Sequence, residues 1–506
     1  HAGKTVASLK PYIETDNQAT NYFIDDVFIT KVLNTNGGFE AGMDGWNAAG
    51  ATVVATDTDA HSGSSSAYVS NRSDGWSSVQ YDMRDIGLVP GRTYLVSAWV
   101  KRDGDAPENI KMTIEQQDEA GDTNRWRTIA QSSDTAEWVQ LSNTYTYIPN
   151  GDVATLKVYF EADGPGETGG GGAYFVDDLV ITEFVPPPSI VTNGGLEQGT
   201  TAGWVGNSAT IALAQWPQGG AHTGYFGLQV SGRSQNWHSP QYPLLPLELE
   251  ANTSYKASVW VKVASEAAAT DTMNLTLLFN DGRANPYITL ASATVSSNGW
   301  TQLEGIFDYV PTGDVTDLRL YVESAGATTS YYVDELVVAP NYAVNGGLEA
   351  SATNHLGWNG SGATISLNSD TKHLGERSLF VTDRNALWNS AQYDLRNSGM
   401  EPGKTYDISA WVKVDGDTPS VIKMTVESAI TGNNDSVYTQ LDASGDTADW
   451  VKLSRRYTFG FDEIPAIFRV YFEADEADEE GNNPSTYSSY YVDSLVITEV
   501  EETYTH

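Results

Sequence analysis

Tyr94 to Lys101 reads YLVSAWVK, Ile110 to Glu115 reads IKMTIE, and Leu156 to Glu161 reads LKVYFE. These are short alternating runs bounded by Gly, Pro, Asn and Asp, the pattern of half-buried strands. No stretch of the chain holds a helical period over three turns. In Val158-Tyr159-Phe160-Glu161 a period of two sends Val158 and Phe160 into a core and leaves Tyr159 and Glu161 together on the opposite face. The expected class is all-β.

The surroundings of these runs recur three times. Asn36-Gly37-Gly38-Phe39-Glu40 reappears as Asn193-Gly194-Gly195-Leu196-Glu197 and as Asn345-Gly346-Gly347-Leu348-Glu349. Each opening is followed by Gly-Trp (Trp46, Trp204, Trp358) and then by a His-x-Gly turn (His61, His222, His373). Each unit closes on Phe175-Val176-Asp177, Tyr332-Val333-Asp334 or Tyr491-Val492-Asp493. A period of about 155 residues with eight or more short strands per unit predicts tandem two-sheet β-sandwiches of the jelly-roll kind. The predicted modules are residues 34–185, 191–340 and 343–500, with a Pro-rich linker at 186–190. Residues 1–33 repeat the end of a unit: Val6 to Glu14 (VASLKPYIE) parallels Val153 to Glu161 (VATLKVYFE). They are expected to be the last strands of an incomplete preceding module, or strands that complete a neighbouring chain head to tail.

Composition narrows the partners. The 506 residues carry 66 Asp and Glu against 28 Lys and Arg, a formal net charge of -38, which repels phosphate backbones and anionic headgroups. Nucleic acid is therefore not an expected partner, and no apolar run approaches the roughly 20 residues of a membrane helix. With no cysteine in the chain, disulfides and thiolate chemistry are excluded. Bound calcium is the natural alternative staple for so acidic a β-protein, about one ion per module.

With the repeat laid out, each unit resembles the family 22 carbohydrate-binding modules that accompany xylanases, within the wider family 4 and 9 group of calcium-binding jelly rolls. The residues that carry the resemblance are Arg72 to Trp76, Gln80-Tyr81-Asp82, Pro90-Gly91 and Ala98-Trp99-Val100-Lys101. The third unit repeats them as Arg384 to Trp388, Gln392-Tyr393-Asp394, Pro402-Gly403 and Ala410-Trp411-Val412-Lys413. The second keeps Arg233, Trp237, Gln241-Tyr242 and Trp260-Val261-Lys262 but has Pro243 in place of Asp and lacks the Pro-Gly turn. Family members commonly carry an Arg soon after the opening Gly-Trp; these stretches read Asn47-Ala48, Val205-Gly206 and Asn359-Gly360. That departure leaves the polysaccharide open between xylan and another β-glycan such as mixed-linkage glucan.

The Tyr-x-Glu pairs are the first candidate sugar contacts: Tyr159 with Glu161, Tyr321 with Glu323, and Tyr471 with Glu473. A ring beside a carboxylate suits a sugar's apolar C–H face and its donating hydroxyls; the competing reading is a solvated strand face. Trp76, Trp237 and Trp388 sit in polar turns, where a bare indole is costly, and the resemblance implies stacking platforms. Arg72, Arg233 and Arg384, four residues earlier, either reach the sugar or brace the loop. Trp126, Tyr287 and Tyr438 stand just before strands as further sugar-binding candidates, or as edge aromatics with no ligand. Trp99, Trp260, Trp411, Trp138, Trp300 and Trp450 lie in apolar runs and are expected in the core. The resemblance implies that the first and last strands of a module pair. That would bring Glu40 to Asp177, Glu197 to Asp334, and Glu349 to Asp493, as calcium ligands completed by turn carbonyls near His61 to Ser64.

Repeats occupy the chain, leaving no non-repeating segment for a catalytic domain, and no Gly-x-Ser-x-Gly elbow, His-Glu-x-x-His or phosphate loop occurs. The expectation is a non-catalytic, multivalent polysaccharide binder acting outside the cell or at its surface. The alternative is a structural fibre or stalk.

Overall fold

The computed structural model describes residues 31–104, 109–118, 125–162, 172–184, 188–264, 269–349, 355–416, 420–429, 436–445, 449–475 and 487–500. Most of the partial repeat expected at 1–33, with its proposed assembly role, and Pro186-Pro187 of the linker lie outside them.

In the first module ten strands form two sheets. They are β1 (Trp46–Ala49), β2 (Thr52–Thr56), β3 (Ser66–Ser70), β4 (Ser78–Asp82), β5 (Thr93–Arg102), β6 (Ile110–Asp118), β7 (Trp126–Ser132), β8 (Val139–Thr146), β9 (Val153–Ala162) and β10 (Tyr174–Phe184). The front sheet has the order β1-β4-β9-β6-β7 and the back sheet β2-β3-β10-β5-β8. The other two modules repeat both orders strand for strand, so the described chain holds six antiparallel five-stranded sheets paired as sandwiches. This is the all-β jelly-roll architecture that the alternation and repeat imply.

The alternation explains the packing. Met112 and Ile114 of β6 and Val158 and Phe160 of β9 are fully buried against Val96, Ala98 and Val100 of β5 and Val176 of β10. Each such side chain contributes about 1.5–3 kcal/mol of apolar burial. The repeated Asn-Gly-Gly opening has a steric cause: a Cβ on Gly37 would stand 2.0 Å from the Leu179 carbonyl oxygen, and Gly194 and Gly346 meet Leu336 and Leu495 at the same distance. That approach lets the opening segment lie along the last strand, with Leu33 N–H donating to Ile181 O at 2.8 Å. On β10 the register shifts between Asp177 and Val180, where Asp178 takes a left-handed φ of 49°.

Six tryptophans depart from expectation. Trp99, Trp260, Trp411, Trp138, Trp300 and Trp450 are half-buried and outside the core clusters. Val96, Ala98 and Val100 already fill the inward positions of β5, so Trp99 faces outward on the back sheet. There the His-x-Gly histidine covers it: His61 stacks on Trp99 at 3.7 Å and meets Trp138 edge-on at 5.9 Å. The same sandwich recurs at His222 and His373.

Neighbouring modules touch through specific polar contacts. Asn143 of β8 exchanges two hydrogen bonds with Gly224 of the second module, Nδ2–H to Gly224 O at 3.0 Å and Gly224 N–H to Oδ1 at 2.9 Å. The last strand of the second module (Tyr331–Asn341) runs straight into the third. The Asn341 amide donates to Leu495 O (3.1 Å) and accepts from Ile497 N–H (2.8 Å), and Lys452 pairs with Glu304 at 2.7 Å.

Candidate functional site

The outward face of the front sheet is a grid whose rows are set by strand register. In the first module one row runs Asn47, Gln80, Tyr159, Thr113, Thr128, and the next runs Asp82, Lys157, Glu115, Trp126. The third module repeats these as Asn359, Gln392, Tyr471, Thr425, Gln440 and as Asp394, Arg469, Glu427, Tyr438. In the second they read Val205, Gln241, Tyr321, Thr276, Thr289 and Pro243, Arg319, Leu278, Tyr287.

Two aromatics stand up from this floor in every module. Trp76, Trp237 and Trp388, on the loop entering β4 or its counterpart, are 56%, 50% and 67% exposed. On the far edge strand Trp126, Tyr287 and Tyr438 are exposed to a similar degree. Three strand spacings, roughly 14 Å, separate β4 from β7, so the two rings flank a trough. Arg125 lies over the Trp126 ring at 4.8 Å.

The tyrosines between them face outward as expected but are nine-tenths covered, because they sit mid-row with neighbours on both strands. Burial pushes the Tyr321 and Tyr471 phenols up to about 12 and raises Tyr159 as well. They form the floor of the trough and not its walls. In modules one and two their acidic companions are held by threonine: Thr113 Oγ1 donates to Glu161 at 3.0 Å and Thr276 Oγ1 to Glu323 at 2.6 Å. Burial raises the Glu473 carboxyl.

Of the two roles expected of Arg72, Arg233 and Arg384, reaching the sugar or bracing the loop, their contacts in the structure are those of the second. All three are buried, each over a core tyrosine ring at 5.1–5.4 Å. Arg233 donates from Nε to His238 O (2.6 Å), from Nη1 to Gly326 O and Thr329 O (2.7 and 2.8 Å), and from Nη2 to Asn236 O and Ser324 O (2.9 and 3.0 Å). Arg384 adds a salt bridge to Asp475 at 2.9 Å. Arg233 and Arg384 spend all five N–H groups on main-chain carbonyls and Asp475, and Arg72 spends four; the guanidinium braces the turn that presents the tryptophan.

Sequence reasoning missed the polar floor. Lys157 donates to Gln80 (3.0 Å) and pairs with Glu115 (2.9 Å); Arg319 and Arg469 donate to Gln241 and Gln392 at 2.8 and 2.7 Å. The available signal was a basic residue two positions before each Tyr-x-Glu tyrosine and the thrice-repeated Gln-Tyr.

At the edge of each sandwich the six expected metal ligands converge on the His-x-Gly turn. Glu40 accepts from Ser64 N–H (2.7 Å), Ser64 Oγ (2.6 Å) and Ser65 N–H (2.8 Å), and Asp177 from His61 N–H (2.9 Å) and Ser62 N–H (3.2 Å). Glu197 and Asp334 hold the turn at His222 to Phe226 in this way, and Glu349 and Asp493 the turn at His373 to Arg377. Burial raises Asp177 to about 6, Glu197 and Asp493 to about 7, and Asp334 well above the carboxylate range. Among the described residues no group of three or more His, Asp or Glu is placed to hold a metal ion.

A β-sandwich with one sheet face furnished with paired exposed rings over a polar floor defines a binding module. The profile of the carbohydrate-binding domain family, of the family 4 and 9 group, matches residues 32–167, 188–330 and 340–489, and the chain belongs to that family. Endo-1,4-beta-xylanase A of Thermoanaerobacterium saccharolyticum is 29% identical over 336 residues, 64% of this chain and 27% of the xylanase. Its Thermotoga neapolitana namesake is 28% identical over 306 residues, 59% of this chain and 28% of that protein. The chain thus spans little more than a quarter of the length of these relatives. Among solved structures, the tandem pair CBM22-1-CBM22-2 of Paenibacillus barcinonensis Xyn10C is 25% identical, covering 61% of this chain and 97% of the pair with a TM-score of 0.30.

Proposed function

We propose that the chain is a non-catalytic, multivalent binder of β-glycan, with xylan the leading ligand, and that it works outside the cell. The observation that carries this reading is the exposed ring pair of each module, Trp76 with Trp126, Trp237 with Tyr287 and Trp388 with Tyr438, standing over hydrogen-bonding floor groups. Pyranose rings stack on such platforms through their C–H faces while hydroxyls reach the amides, carboxylates and cations below. The names of the relatives, xylanases in several organisms, support xylan. Three weak troughs on one chain raise apparent affinity for a polymer by about 100-fold to 10,000-fold where their spacing matches it.

Calcium belongs to the same proposal as a structural ion. The residues fit: Asp334 and Asp493 are fully buried carboxylates whose acidity is opposed further by the nearby Glu197 and Glu349, an arrangement a divalent cation would relieve. The ion would fasten the His-x-Gly turn to the last strand, away from the trough. Affinity electrophoresis in xylan and in mixed-linkage glucan tests the binding reading. Retardation that disappears in Trp76→Ala/Trp237→Ala/Trp388→Ala supports it, and unretarded migration of the parent chain in both polysaccharides refutes it.

A further inference from the structure

The three troughs are not equivalent. At four positions of the outward face, modules one and three carry the same polar or charged residue and module two an apolar one. Asn47 and Asn359 become Val205; Asp82 and Asp394 become Pro243; Arg84 and Arg396 become Leu245; Glu115 and Glu427 become Leu278. A fifth position changes from Lys111 and Lys423 to Asn274. Register places all but the arginine position within the front-sheet grid, and that one follows the Asp82 position by two residues. Leu278 stands outside the core cluster that takes Leu275, Leu277 and Phe279, so it belongs to the outer face.

The polar version sets two ion pairs side by side along one register row. Arg84 donates from Nε to Asp82 at 3.0 Å and Arg396 to Asp394 at 2.9 Å; Glu115 and Glu427 take Lys157 and Arg469 at 2.9 and 2.6 Å. In module three these groups border a concavity shared by Asn359, Gln392, Asp394, Arg396 and Arg469. In module two the same region offers Val205, 50% exposed, and Leu245, 42% exposed, on either side of Pro243.

We infer that module two takes glycan whose hydroxyls are capped by apolar acyl esters, whereas modules one and three require the free hydroxyls. This rests on the β-glycan reading above and specifies it. A sugar that covers these charges must replace the water it displaces. Free hydroxyls can donate to Asp82 and accept from Arg84, but an acyl ester has no donor and leaves a desolvated charge short of a partner. Over Val205, Pro243 and Leu245 the ester methyl gains apolar contact, and the nearest charge, Arg319, keeps Asp317 and Gln241 as its partners.

The test uses the full chain with troughs silenced at their tryptophans. Trp237→Ala leaves modules one and three, and Trp76→Ala/Trp388→Ala leaves module two. Each is titrated with a soluble O-acetylated xylan and with the same preparation after mild alkaline deacetylation. Trp237→Ala is expected to bind the acetylated polymer at least about fivefold more weakly than the deacetylated one, and the double variant to change by less than about twofold or to favour the acetylated form. Placing Val205→Asn and Leu245→Arg in the double variant, both at exposed positions, should introduce the sensitivity to acetylation. Equal acetylated-to-deacetylated ratios for the two silenced chains overturn the inference while leaving β-glycan binding intact. Absence of binding to the deacetylated polymer by every chain, the parent included, refutes instead the reading on which the inference rests.

Discussion

Replacing Arg384 with Ala should abolish binding at module three by a different route from replacing Trp388, and the two routes separate on stability. The Arg384 guanidinium donates to the carbonyls of Asn389 (2.8 Å), Leu387 (3.0 Å), Ala474 (2.6 Å) and Ser488 (2.8 Å), and pairs with Asp475, whose side chain is 10% exposed. Removing one partner of a buried ion pair costs about 3–5 kcal/mol. The low end applies because Asp475 keeps Ser420 and Ser488 as donors. For a module of this size, about 3 kcal/mol lowers the melting temperature by about 6–12 °C. Trp388 is 67% exposed, so Trp388→Ala should change stability by less than about 1 kcal/mol while costing about 2 kcal/mol of binding, some 30-fold. Calorimetric melting read beside oligosaccharide titration resolves the pair. Arg384→Ala melting with the parent transitions while binding is lost would mean that the guanidinium contacts sugar and that the bracing role is mistaken.

Other consequences are equally open to measurement. Gly194→Ala drives a methyl against the Leu336 carbonyl and should destabilise module two by at least about 1–3 kcal/mol, visible as an earlier calorimetric transition. Calcium at about 100 times its dissociation constant should stabilise each module by about 2.7 kcal/mol, and melting unchanged by a chelator would exclude the ion. Asp281 is held well below the usual carboxylate range by Arg283 and by the N–H and hydroxyl of Thr312, so its folded pKa lies beneath its unfolded one. The stability it contributes is present above about pH 4 and is lost as the pH falls below it; Asp281→Asn should therefore flatten the fall in urea midpoint between pH 5 and pH 2.5 (about the acid range of that window). Lys452→Ala removes the ion pair to Glu304 across modules two and three, and small-angle scattering should report a broader spread of their separation with each trough's affinity unchanged.

Much of the architecture was legible because a strand's period of two leaves little freedom. Val158 and Phe160 had to face the core once Tyr159 and Glu161 shared the other side, whereas the repeated Asn-Gly-Gly marked the period of the units and not the close approach to the last strand that its first glycine permits. What alternation does not encode is how much its neighbours cover an outward residue. Tyr159 faces the trough and is nearly buried, whereas Trp76, from a turn with no periodicity, is bare. The arginines were ambiguous for a related reason. Arg72, Arg233 and Arg384 take their partners mainly from loop carbonyls, and a sequence carries no mark of where carbonyls point. Trp99 misled because Val96, Ala98 and Trp99-Val100 read as one apolar run, although the strand turns the indole out to meet His61. The polar floor was written in the sequence at Lys157, Arg319 and Arg469, but only register reveals that each lies beside the glutamine of a neighbouring strand.

Calorimetric stoichiometry with a short, unsubstituted xylo-oligosaccharide puts the three-trough description to its most direct test. The parent chain should bind three ligands, and any one of Trp76→Ala, Trp237→Ala or Trp388→Ala should reduce that to two without moving the melting transitions. A stoichiometry that stays the same in all three variants, or heat of binding absent from the parent itself, would contradict it.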